Sequence, residues 1–264
     1  MGSWRLLRLE TYDAFMNMAV DEAILTARIA NIAPNTLRFY CWKPSAVSIG
    51  KFQNIQNEVQ LENCKRLGVD VVRRITGGGA VYHDAEDEIT YSLIADKKDL
   101  NATDITSAYT RVYAGIAEAL AILCLKSDYN EGNAKTCPNL TVNGKKISGS
   151  AQTHKKGIVL QHGTLLIDVN LERMFTILRV SWAKTCMQIV NIAKDKITSI
   201  KKETHKNFTI AEVEQALIEG FQKALNTKLT EGKLTAYERE LAEKLYKQKY
   251  TTNQWNHHGR NKLE

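Results

Sequence analysis

The sequence predicts one α/β domain in which a mixed or antiparallel sheet is followed by a helical C-terminal third. Strand patterns cluster between residues 36 and 169 and come in pairs joined by short turns, which argues against a doubly wound parallel sheet. From residue 171 onward the apolar spacing becomes helical. No repeat and no linker rich in Pro, Gly or Ser divides the 264 residues, of which 44% are hydrophobic, enough for one sizeable core.

The N-terminal half alternates strands with two helices. Residues 4–10 predict an opening strand, and residues 14–30 carry apolar side chains at the spacing of one helix face, with Asp21 and its neighbour on the polar side. Gly68 is expected to close a second helix, over residues 57–68, as its C-cap. Further strand patterns lie at residues 36–42, 46–52 and 70–75.

The second half begins with a β-branched and aromatic strand at residues 88–95 and with the clearest helix of the chain, residues 106–125. Residues 140–152 predict a hairpin around Asn143-Gly144, a strong short-range turn signal. A long strand or a strand pair is expected at residues 157–169. The helical third extends over about 171–255, with patterns at residues 171–178, 209–225 and 234–250.

Charge and hydropathy restrict the class of protein. The formal net charge is +7, but the lysines are spread out and no stripe carries interleaved aromatic residues, so no nucleic-acid partner is expected. An acidic protein partner or the phosphates of a nucleotide suit this charge, although a solvated surface explains any single lysine cluster. No run approaches the ~18–20 apolar residues of a membrane span and no signal peptide is evident, so we expect a soluble, cytoplasmic protein without membrane attachment.

The five cysteines show neither CxxC nor Cys/His metal spacing, and no metal site built from protein side chains is predicted. Such a dispersed set fits a reducing compartment, in which most cysteines serve as small hydrophobic residues. We expect this structural role for Cys41, Cys64, Cys124 and Cys186. Cys137 differs because it lies in a polar stretch beside Lys135 and near Lys146, and such charges lower the pKa of a thiol.

The segment RRITGGGAVYHD, residues 73–84, is the first candidate for chemistry. Consecutive glycines allow backbone N–H groups to wrap an anionic oxygen, and Arg73 and Arg74 can bind phosphate or carboxylate. No GK[ST] follows, as it would in a Walker loop, and no helix follows, as it would in a Rossmann fingerprint. A plain hairpin turn is the structural alternative. The flanking residues favour a strand–turn–strand that also closes over an anion.

Two further segments carry polar groups within strand patterns. In NGKKISGSAQ, residues 143–152, Lys146 precedes small residues that let a ligand approach, although a lysine at a hairpin is usually solvated. Lys145 is expected to point to solvent because neighbouring strand residues face opposite sides. In LQHGTLL, residues 160–166, His162 lies within an apolar strand, where a hydrogen-bonded core histidine is the alternative to a catalytic one.

These three segments, in this order and spacing, resemble the lipoate–protein ligase and octanoyltransferase family. NMAVDEAIL, RFYCWKPSAVSIGKFQN and LAEKLYKQKYTTNQWN extend the resemblance over nearly the whole chain. It implies a fold like that of class II aminoacyl-tRNA synthetases and biotin synthetases, a mixed sheet flanked by helices, as a single catalytic domain over residues 1–262 without an accessory domain. It also implies acylation of a lysine on lipoyl-domain proteins, such as 2-oxoacid dehydrogenase E2 subunits or the glycine cleavage H protein.

The resemblance implies roles for individual residues. Lys146 matches the family's essential lysine, which contacts the acyl carbonyl and the phosphate oxygen and stabilises developing charge. The residues implied in binding ATP and the acyl-adenylate are Arg74, Gly77, Gly78, Gly79, Ala80, Val81, Tyr82, Lys135 and Lys146. Those implied in binding lipoate or another acyl group are Arg73, His83, Lys146, Ser150 and His162. An apolar tunnel for an eight-carbon chain, whose burial contributes about 0.8 kcal/mol per methylene, is expected along Val72, Ile75, Val81 and residues 159–166.

The resemblance leaves two activities open. GGGAVYHD has the form found in ligases and NAKT resembles a nucleotide-contacting loop, so the first expectation is a ligase that activates lipoate or octanoate with ATP and Mg²⁺. Without an accessory domain, it would depend on a separate small subunit or on preformed acyl-adenylate. EITYS and SAQTHKKGIVLQHGTLLIDV instead resemble cysteine-dependent octanoyltransferases. In that alternative Cys137, nine residues before Lys146, carries octanoyl from acyl carrier protein as a thioester.

Overall fold

The computed structural model describes residues 4–132, 137–183 and 185–259. Its strands are β1 Trp4–Tyr12, β2 Thr36–Trp42, β3 Ala46–Ile49, β4 Asp70–Arg73, β5 Val81–His83, β6 Glu88–Asp96, β7 Asp128–Asn130, β8 Asn139–Val142, β9 Lys145–Lys155, β10 Ile158–Leu166 and β11 Leu229–Glu231. Its helices are α1 Ala14–Ile29, α2 Ile55–Glu58, α3 Leu61–Leu67, α4 Ile105–Ile122, α5 Leu171–Ile177, α6 Cys186–Lys194, α7 Ile200–Thr204, α8 Ile210–Leu225, α9 Ala236–Leu245 and α10 Asn253–His258. A π-helical turn, Tyr246–Tyr250, continues α9.

The larger of two sheets has eight strands in the order β11-β1-β2-β6-β10-β9-β8-β7. Strand β1 is parallel to β11 and to β2, whereas every pair from β2 to β7 is antiparallel. The predicted mixed sheet is therefore confirmed. The predicted β8–β9 hairpin is present as well, with Asn143 and Gly144 both at positive φ (50° and 74°), as a type I′ turn requires.

Helices cover both faces of this sheet because side chains alternate along its strands. In β2, Leu37 and Phe39 join the core formed with α4 and α8. Tyr40 and Trp42 point the other way and join the core beneath α1 and α9. Every residue of β2 is buried, as expected for a central strand with both faces covered. The expectation of a mixed sheet flanked by helices is confirmed.

The smaller sheet has three strands in the order β4-β3-β5 and packs with α5 and α6. Strand β3 lies between the other two, parallel to β4 and antiparallel to β5. The glycine segment 74–80 therefore crosses the end of β3, where Gly78 approaches Gly50, and it does not join two paired strands. The predicted strand–turn–strand is wrong in this respect, because β4 and β5 are separated by a strand from earlier in the chain.

The C-terminal third is mostly helical, and it returns to elements from the start of the chain. Helix α9 packs against α1, and α10 lies against β4. The three-residue strand β11, which the periodicity did not indicate, pairs in parallel with β1. Among the described residues, no helix combines the length and the apolar character needed to cross a membrane.

Candidate active site

A cavity of about 150 Å³ lies where the small sheet meets β9 and β10, beneath the glycine segment 74–80. Apolar side chains from α1 and β2, Met18, Tyr40 and Trp42, form part of its wall, and Val81 adds another. Small residues of the glycine segment, β9 and β10 complete the lining. The polar side chains that border the cavity are Ser48, Arg74, His83, Thr90, Cys137, Lys146, Ser150, His162 and Thr164.

Lys146 is held by an irregularity of β9. Leu140 pairs with Ser148, but the next residue, Thr141, pairs with Lys146, so β9 carries one extra residue there, as in a β-bulge. The Lys146 backbone is also clamped on its other edge, because its N–H donates to the Lys196 carbonyl (2.8 Å) and its carbonyl accepts from Thr198 N–H (2.9 Å). This geometry fixes the point from which the side chain enters the cavity.

Lys146 is an exposed residue whose ammonium borders the cavity. Its side chain keeps accessible surface because it borders the cavity, yet protein atoms surround it closely enough for desolvation to lower its pKa. The Cys137 thiol opposes this shift, and the positive charge of Arg74 adds to it. A lowered pKa makes the neutral amine of Lys146 easier to reach than that of an ordinary surface lysine.

Of the five cysteines, Cys137 alone borders the cavity. It is an exposed, free thiol, and a Cβ atom placed on Gly78 would lie 3.7 Å from its Sγ atom and 3.0 Å from Arg74 Nη2. The thiol therefore lies over the middle glycine, next to a guanidinium. By contrast, burial raises the pKa of Cys41 to about 12 and that of Cys64 to about 11, which keeps both protonated and unreactive.

Arg74 holds the glycine segment in place with its whole guanidinium. Its five N–H groups donate to Thr76 Oγ1 (3.1 Å), the carbonyl and hydroxyl of Ser48 (2.9 and 3.1 Å), and the carbonyls of Gly77 (2.8 Å) and Gly79 (2.7 Å). Burial lowers the pKa of Arg74 to about 10, so it stays charged at neutral pH. Arg74 was predicted to contact a phosphate, but its donors in this structure are occupied by the loop.

Two chains of hydroxyl, imidazole and carboxylate groups converge on Arg74. In the first, Thr76 Oγ1 lies 2.8 Å from His162 Nε2, and His162 Nδ1 lies 2.9 Å from Asp21 Oδ2. Because a carboxylate only accepts, Nδ1 carries the proton, and the Thr76 hydroxyl donates to a neutral imidazole at Nε2. Desolvation lowers the pKa of His162, although Asp21 opposes the shift, which agrees with the neutral form.

The second chain runs from Ser48 through His83 to Glu88. Ser48 Oγ is 2.8 Å from His83 Nε2, and His83 Nδ1 is 2.7 Å from Glu88 Oε1. The His83 ring stacks on Trp42 with centroids 3.9 Å apart, and Trp42 in turn donates to Thr90 Oγ1 (2.8 Å). All five side chains are buried, so the imidazole has a single orientation at the cavity wall.

The structure brings most of the predicted site residues to this cavity. Those that border it are Arg74, Gly78, Gly79, Ala80, Val81, His83, Cys137, Lys146, Ser150 and His162. Ser150 is positioned by hydrogen bonds with Tyr113 and Gln161 (2.8 and 2.9 Å). Gly77 contributes a carbonyl to Arg74 and does not reach the cavity lining. Tyr82 faces a neighbouring cavity, and its hydroxyl donates to Asp84 (2.9 Å).

Other expectations require correction. Arg73 was predicted to bind the acyl group, but its side chain points away from the cavity and donates to backbone carbonyls of Gly50, Lys51, Gln53 and α10. Arg73 is the last residue of β4 and Arg74 follows it, and their side chains donate to different groups, α10 in one case and Ser48 with the glycine segment in the other, so they do not share one site. Val72 and Ile75 belong to the core beneath α1 and do not line the tunnel. Lys135 lies outside the described residues.

Sequence patterns did not reveal several residues that shape the site. Asp21 was placed on the polar side of α1, but it is buried, where it accepts from Arg38 (2.7 Å), Tyr40 (3.1 Å) and His162. Its helix neighbour Glu22 is also engaged, by Lys249 and Tyr250. The sequence did carry one signal for these buried carboxylates, the acidic pair inside the otherwise apolar segment NMAVDEAIL. The partners of Asp21 lie up to 141 residues away and those of Glu22 up to 228, so no local pattern identifies them.

Known proteins with the same fold and sequence pattern identify the family. Residues 13–222 match the family described as the lipoyl protein ligase A/B catalytic domain. The chain belongs to this family. It is 33% identical to the octanoyltransferase LipM of Clostridioides difficile over 97% of this chain and 99% of that protein. It is 35% identical to the LipM of Brevibacillus brevis with the same coverage.

A solved structure agrees with this family assignment. The bi-partite lipoate protein ligase of Thermoplasma acidophilum, whose structural study includes its E2 lipoyl domain, is 30% identical and superposes with a TM-score of 0.85 over 99% of both chains. As a member of the lipoyl protein ligase A/B family, the protein is therefore an enzyme of protein lipoylation, with the fold of the lipoate ligases.

The family relatives overturn the first expectation of an ATP-dependent ligase. Curated relatives between 32% and 36% identical, over nearly the full length, are octanoyltransferases. The glycine segment that suggested a ligase is a poor discriminator for a physical reason. It is fixed by Arg74 and the two histidine chains, and both activities can use such a scaffold to hold an acyl group beside a lysine. No group of three or more His, Cys, Asp or Glu side chains in the described residues is arranged to bind a metal ion.

Proposed function

We propose that this protein transfers an octanoyl group from acyl carrier protein to a lysine of a lipoyl domain through a thioester on Cys137. The observation that carries the proposal is the Cys137 thiol on the same cavity as Lys146, beside the charge of Arg74. A reaction through acyl-adenylate has no step for a thiol, whereas transfer between a carrier thioester and an amine gains a covalent intermediate from it. The octanoyltransferase activity named for the LipM relatives supports this choice.

In the first half-reaction, the octanoyl group moves from the carrier thiol to the thiol of Cys137 by thioester exchange. Neutral Lys146 takes the Cys137 proton, and the thiolate forms a C–S bond with the octanoyl carbonyl. The resulting oxyanion is stabilised by the positive charge of the Lys146 ammonium. The bond to the carrier sulfur then breaks, and the departing thiolate takes the proton back from Lys146. The products are octanoyl-Cys137 and free carrier thiol.

In the second half-reaction, the lysine of the lipoyl domain attacks the thioester. A C–N bond forms, the C–S bond to Cys137 breaks, and the proton lost by the amine passes through Lys146 to the Cys137 sulfur. The enzyme returns to its starting state, and neither ATP nor Mg²⁺ takes part. The predicted cofactors and accessory subunit belonged to the ligase hypothesis and are not needed for this reaction.

The surroundings of the reacting groups suit these substrates. Met18, Tyr40 and Trp42 offer an apolar wall to the octanoyl chain, with about 0.8 kcal/mol per buried methylene. The net charge of +7 favours acidic partners such as acyl carrier protein and the lipoyl domains of E2 subunits or the H protein. Five free cysteines suit the reducing cytoplasm, in which we place the reaction.

A mass-spectrometric assay tests the proposal. The enzyme is incubated with octanoyl acyl carrier protein, and its intact mass should rise by one octanoyl group, with the modification on Cys137. Adding a lipoyl domain should move that group to the acceptor without ATP. Cys137→Ser should give no acceptor product, whereas Cys124→Ser, which removes another exposed thiol, should behave as wild type. Acceptor modification that needs lipoate with Mg-ATP and survives Cys137→Ser would refute the proposal.

A further inference from the structure

A second cavity, of about 370 Å³, adjoins the first on the far side of Lys146. The two share the residues Ala80, Val81, Lys146, Gly149 and Thr164 in their linings. Cys137 borders the first cavity and not the second. Lys146 therefore lies at a junction, with the apolar wall for an acyl chain on one side and another space open on the other.

The second cavity leads outward along α5. Its wall is mainly apolar and includes Met174, Phe175 and Leu178. The cavity continues into a larger, more open depression of about 940 Å³, and the two spaces share Glu58, Arg179 and Trp182 in their linings. The second cavity and this depression together form what we call the outer groove. It offers a continuous path from the surface, past Trp182, to Lys146.

Arg179 and the ring of Trp182 border the outer part of this groove, and a second cation, Lys196, lies beside that ring. Trp182 is 44% exposed, but Phe175 holds its ring in an edge-on contact with centroids 5.9 Å apart. Lys196 Nζ lies 5.4 Å from the centre of the Trp182 ring, and Arg179 is anchored through Nε to the Val59 carbonyl (3.2 Å). In the part of the chain that the structure describes, neither cation forms an ion pair.

We propose that the outer groove binds the phosphopantetheine arm of the acyl donor. This inference rests on the proposed function, because it assumes a carrier-bound octanoyl thioester. The thioester carbon lies at the Lys146 junction, the octanoyl chain enters the first cavity, and the arm runs outward between Phe175 and Leu178. Its phosphate then reaches Arg179 and Lys196 beside Trp182, where charge-assisted hydrogen bonds hold it.

The chemistry of the groove favours this arm over the side chain of the acceptor lysine. An arm of methylenes, methyl groups and amides that ends in a phosphate requires a long apolar path with a cationic end, and the groove has both features in that order. A lysine side chain is short and positively charged, so Arg179 and Lys196 would repel it. Glu58 borders the same outer stretch as Arg179 and Trp182, and its carboxylate can accept a hydrogen bond from an amide N–H of the arm there.

The test compares donors that contain the arm with one that lacks it. The rate of octanoyl-enzyme formation is measured with three donors: octanoyl acyl carrier protein, octanoyl phosphopantetheine and the octanoyl thioester of N-acetylcysteamine. The third donor lacks the phosphate. For Arg179→Glu and Trp182→Ala we expect a loss of about tenfold or more with the first two donors, and less than about twofold with the third. Transfer from preformed octanoyl-enzyme to the lipoyl domain should keep its wild-type rate.

Matched controls come from α9, which packs against α1 and not along the groove. Tyr237 has the same exposed fraction as Trp182, 44%, so Tyr237→Ala removes an equally exposed aromatic ring. Arg239→Glu makes the same charge change as Arg179→Glu. Both controls should react like wild type with all three donors.

The outcomes separate this inference from the proposed function. Equal losses with all three donors, or no loss with the carrier, would overturn the groove assignment while octanoyl-Cys137 still forms in wild type. A slower second half-reaction in the groove variants would assign the groove to the acceptor instead. If wild type forms no octanoyl-Cys137 from any donor, both the proposed function and the groove assignment fall.

Discussion

Gly149 leaves the space that the end of the Lys146 side chain occupies. A Cβ atom built on Gly149 would lie 2.5 Å from Lys146 Cε and 2.6 Å from Lys146 Nζ, closer than atoms in van der Waals contact. The atoms it would meet belong to the flexible end of a side chain and not to backbone. A methyl group at this position would therefore move the ammonium and leave the strand intact.

The first prediction is that Gly149→Ala reduces transfer activity without unfolding the protein. We expect kcat to fall by about 100-fold, because a displacement of roughly 1 Å at a reacting group can cost that much. The melting temperature should stay within about 2 °C of wild type, since the clash is relieved by side-chain rotation. Octanoyl-enzyme formation and thermal unfolding measure the two effects.

A double variant shows whether this loss acts through the lysine. If Gly149→Ala works only by displacing Lys146, then adding it to Lys146→Ala should cost nothing further, since residues that act as a unit are not additive. Losses that multiply would mean that Gly149 serves the reaction in another way, for example by admitting the acyl chain.

The second prediction concerns the free energy of unfolding that the protein loses because the charged Lys146 side chain is desolvated. Its pKa is lowered in the folded state by desolvation, so the folded protein carries a penalty for the charged lysine at any pH below that pKa. The penalty disappears as pH rises through the lowered pKa toward the unfolded value of about 10.4. Lys146→Met should therefore melt at a higher temperature than wild type at pH 7, and the difference should shrink by pH 10. Activity should fall by at least about 100-fold. A Met variant that melts lower at pH 7 would contradict the desolvation argument.

Local signals allowed much of the fold to be predicted, and their success has physical causes. Asn143-Gly144 specifies its turn because both residues tolerate positive φ. The C-cap at Gly68 was predicted for the same reason, and Gly68 has φ 63°. Strand β11 escaped prediction because three residues carry too little periodicity, and its pairing with β1 is decided by position in space.

The candidate site shows where such local reasoning fails. Arg73 ends β4 and Arg74 follows it directly, and strand alternation says only that the side chains of two such neighbours face opposite sides. Which side holds the cavity depends on α10, whose backbone accepts from Arg73 across more than 180 residues. The role of Asp21 similarly depends on its bonds to Arg38 and His162, and both of these residues lie outside the helix α1 whose pattern was read.

The third prediction follows from the neutral state of His162. Its pKa is lowered by desolvation, with Asp21 opposing, so its contribution to stability is complete above the unfolded value of about 6.5 and is lost as pH falls below it. His162→Asn keeps a donor for Asp21 but loses the acceptor for Thr76. We expect it to be less stable than wild type by about 1–3 kcal/mol at pH 8, with a smaller gap at pH 5.

Urea unfolding at a series of pH values measures this third effect. The control is His205→Asn, an exposed position at φ 56°, a conformation that asparagine tolerates. It should leave the pH profile unchanged. A gap between His162→Asn and wild type that stays constant from pH 8 to pH 5 would show that folding does not lower the pKa of His162, because both states would then gain the proton together.

The fourth prediction separates the two adjacent arginines. Arg73→Lys should destabilise the fold by about 2–4 kcal/mol, because a lysine cannot replace a guanidinium that reaches carbonyls of both the 50–53 turn and α10. Measured below its melting temperature, its kcat/KM for the octanoyl donor should stay within about threefold of wild type. Arg74→Lys should instead lose about tenfold or more in kcat/KM, since Gly77, Gly79, Thr76 and Ser48 lose the group that fixes the loop beside Cys137. If Arg73→Lys lost donor affinity while its stability was unchanged, Arg73 would belong to the acyl site after all, in conflict with the direction of its side chain.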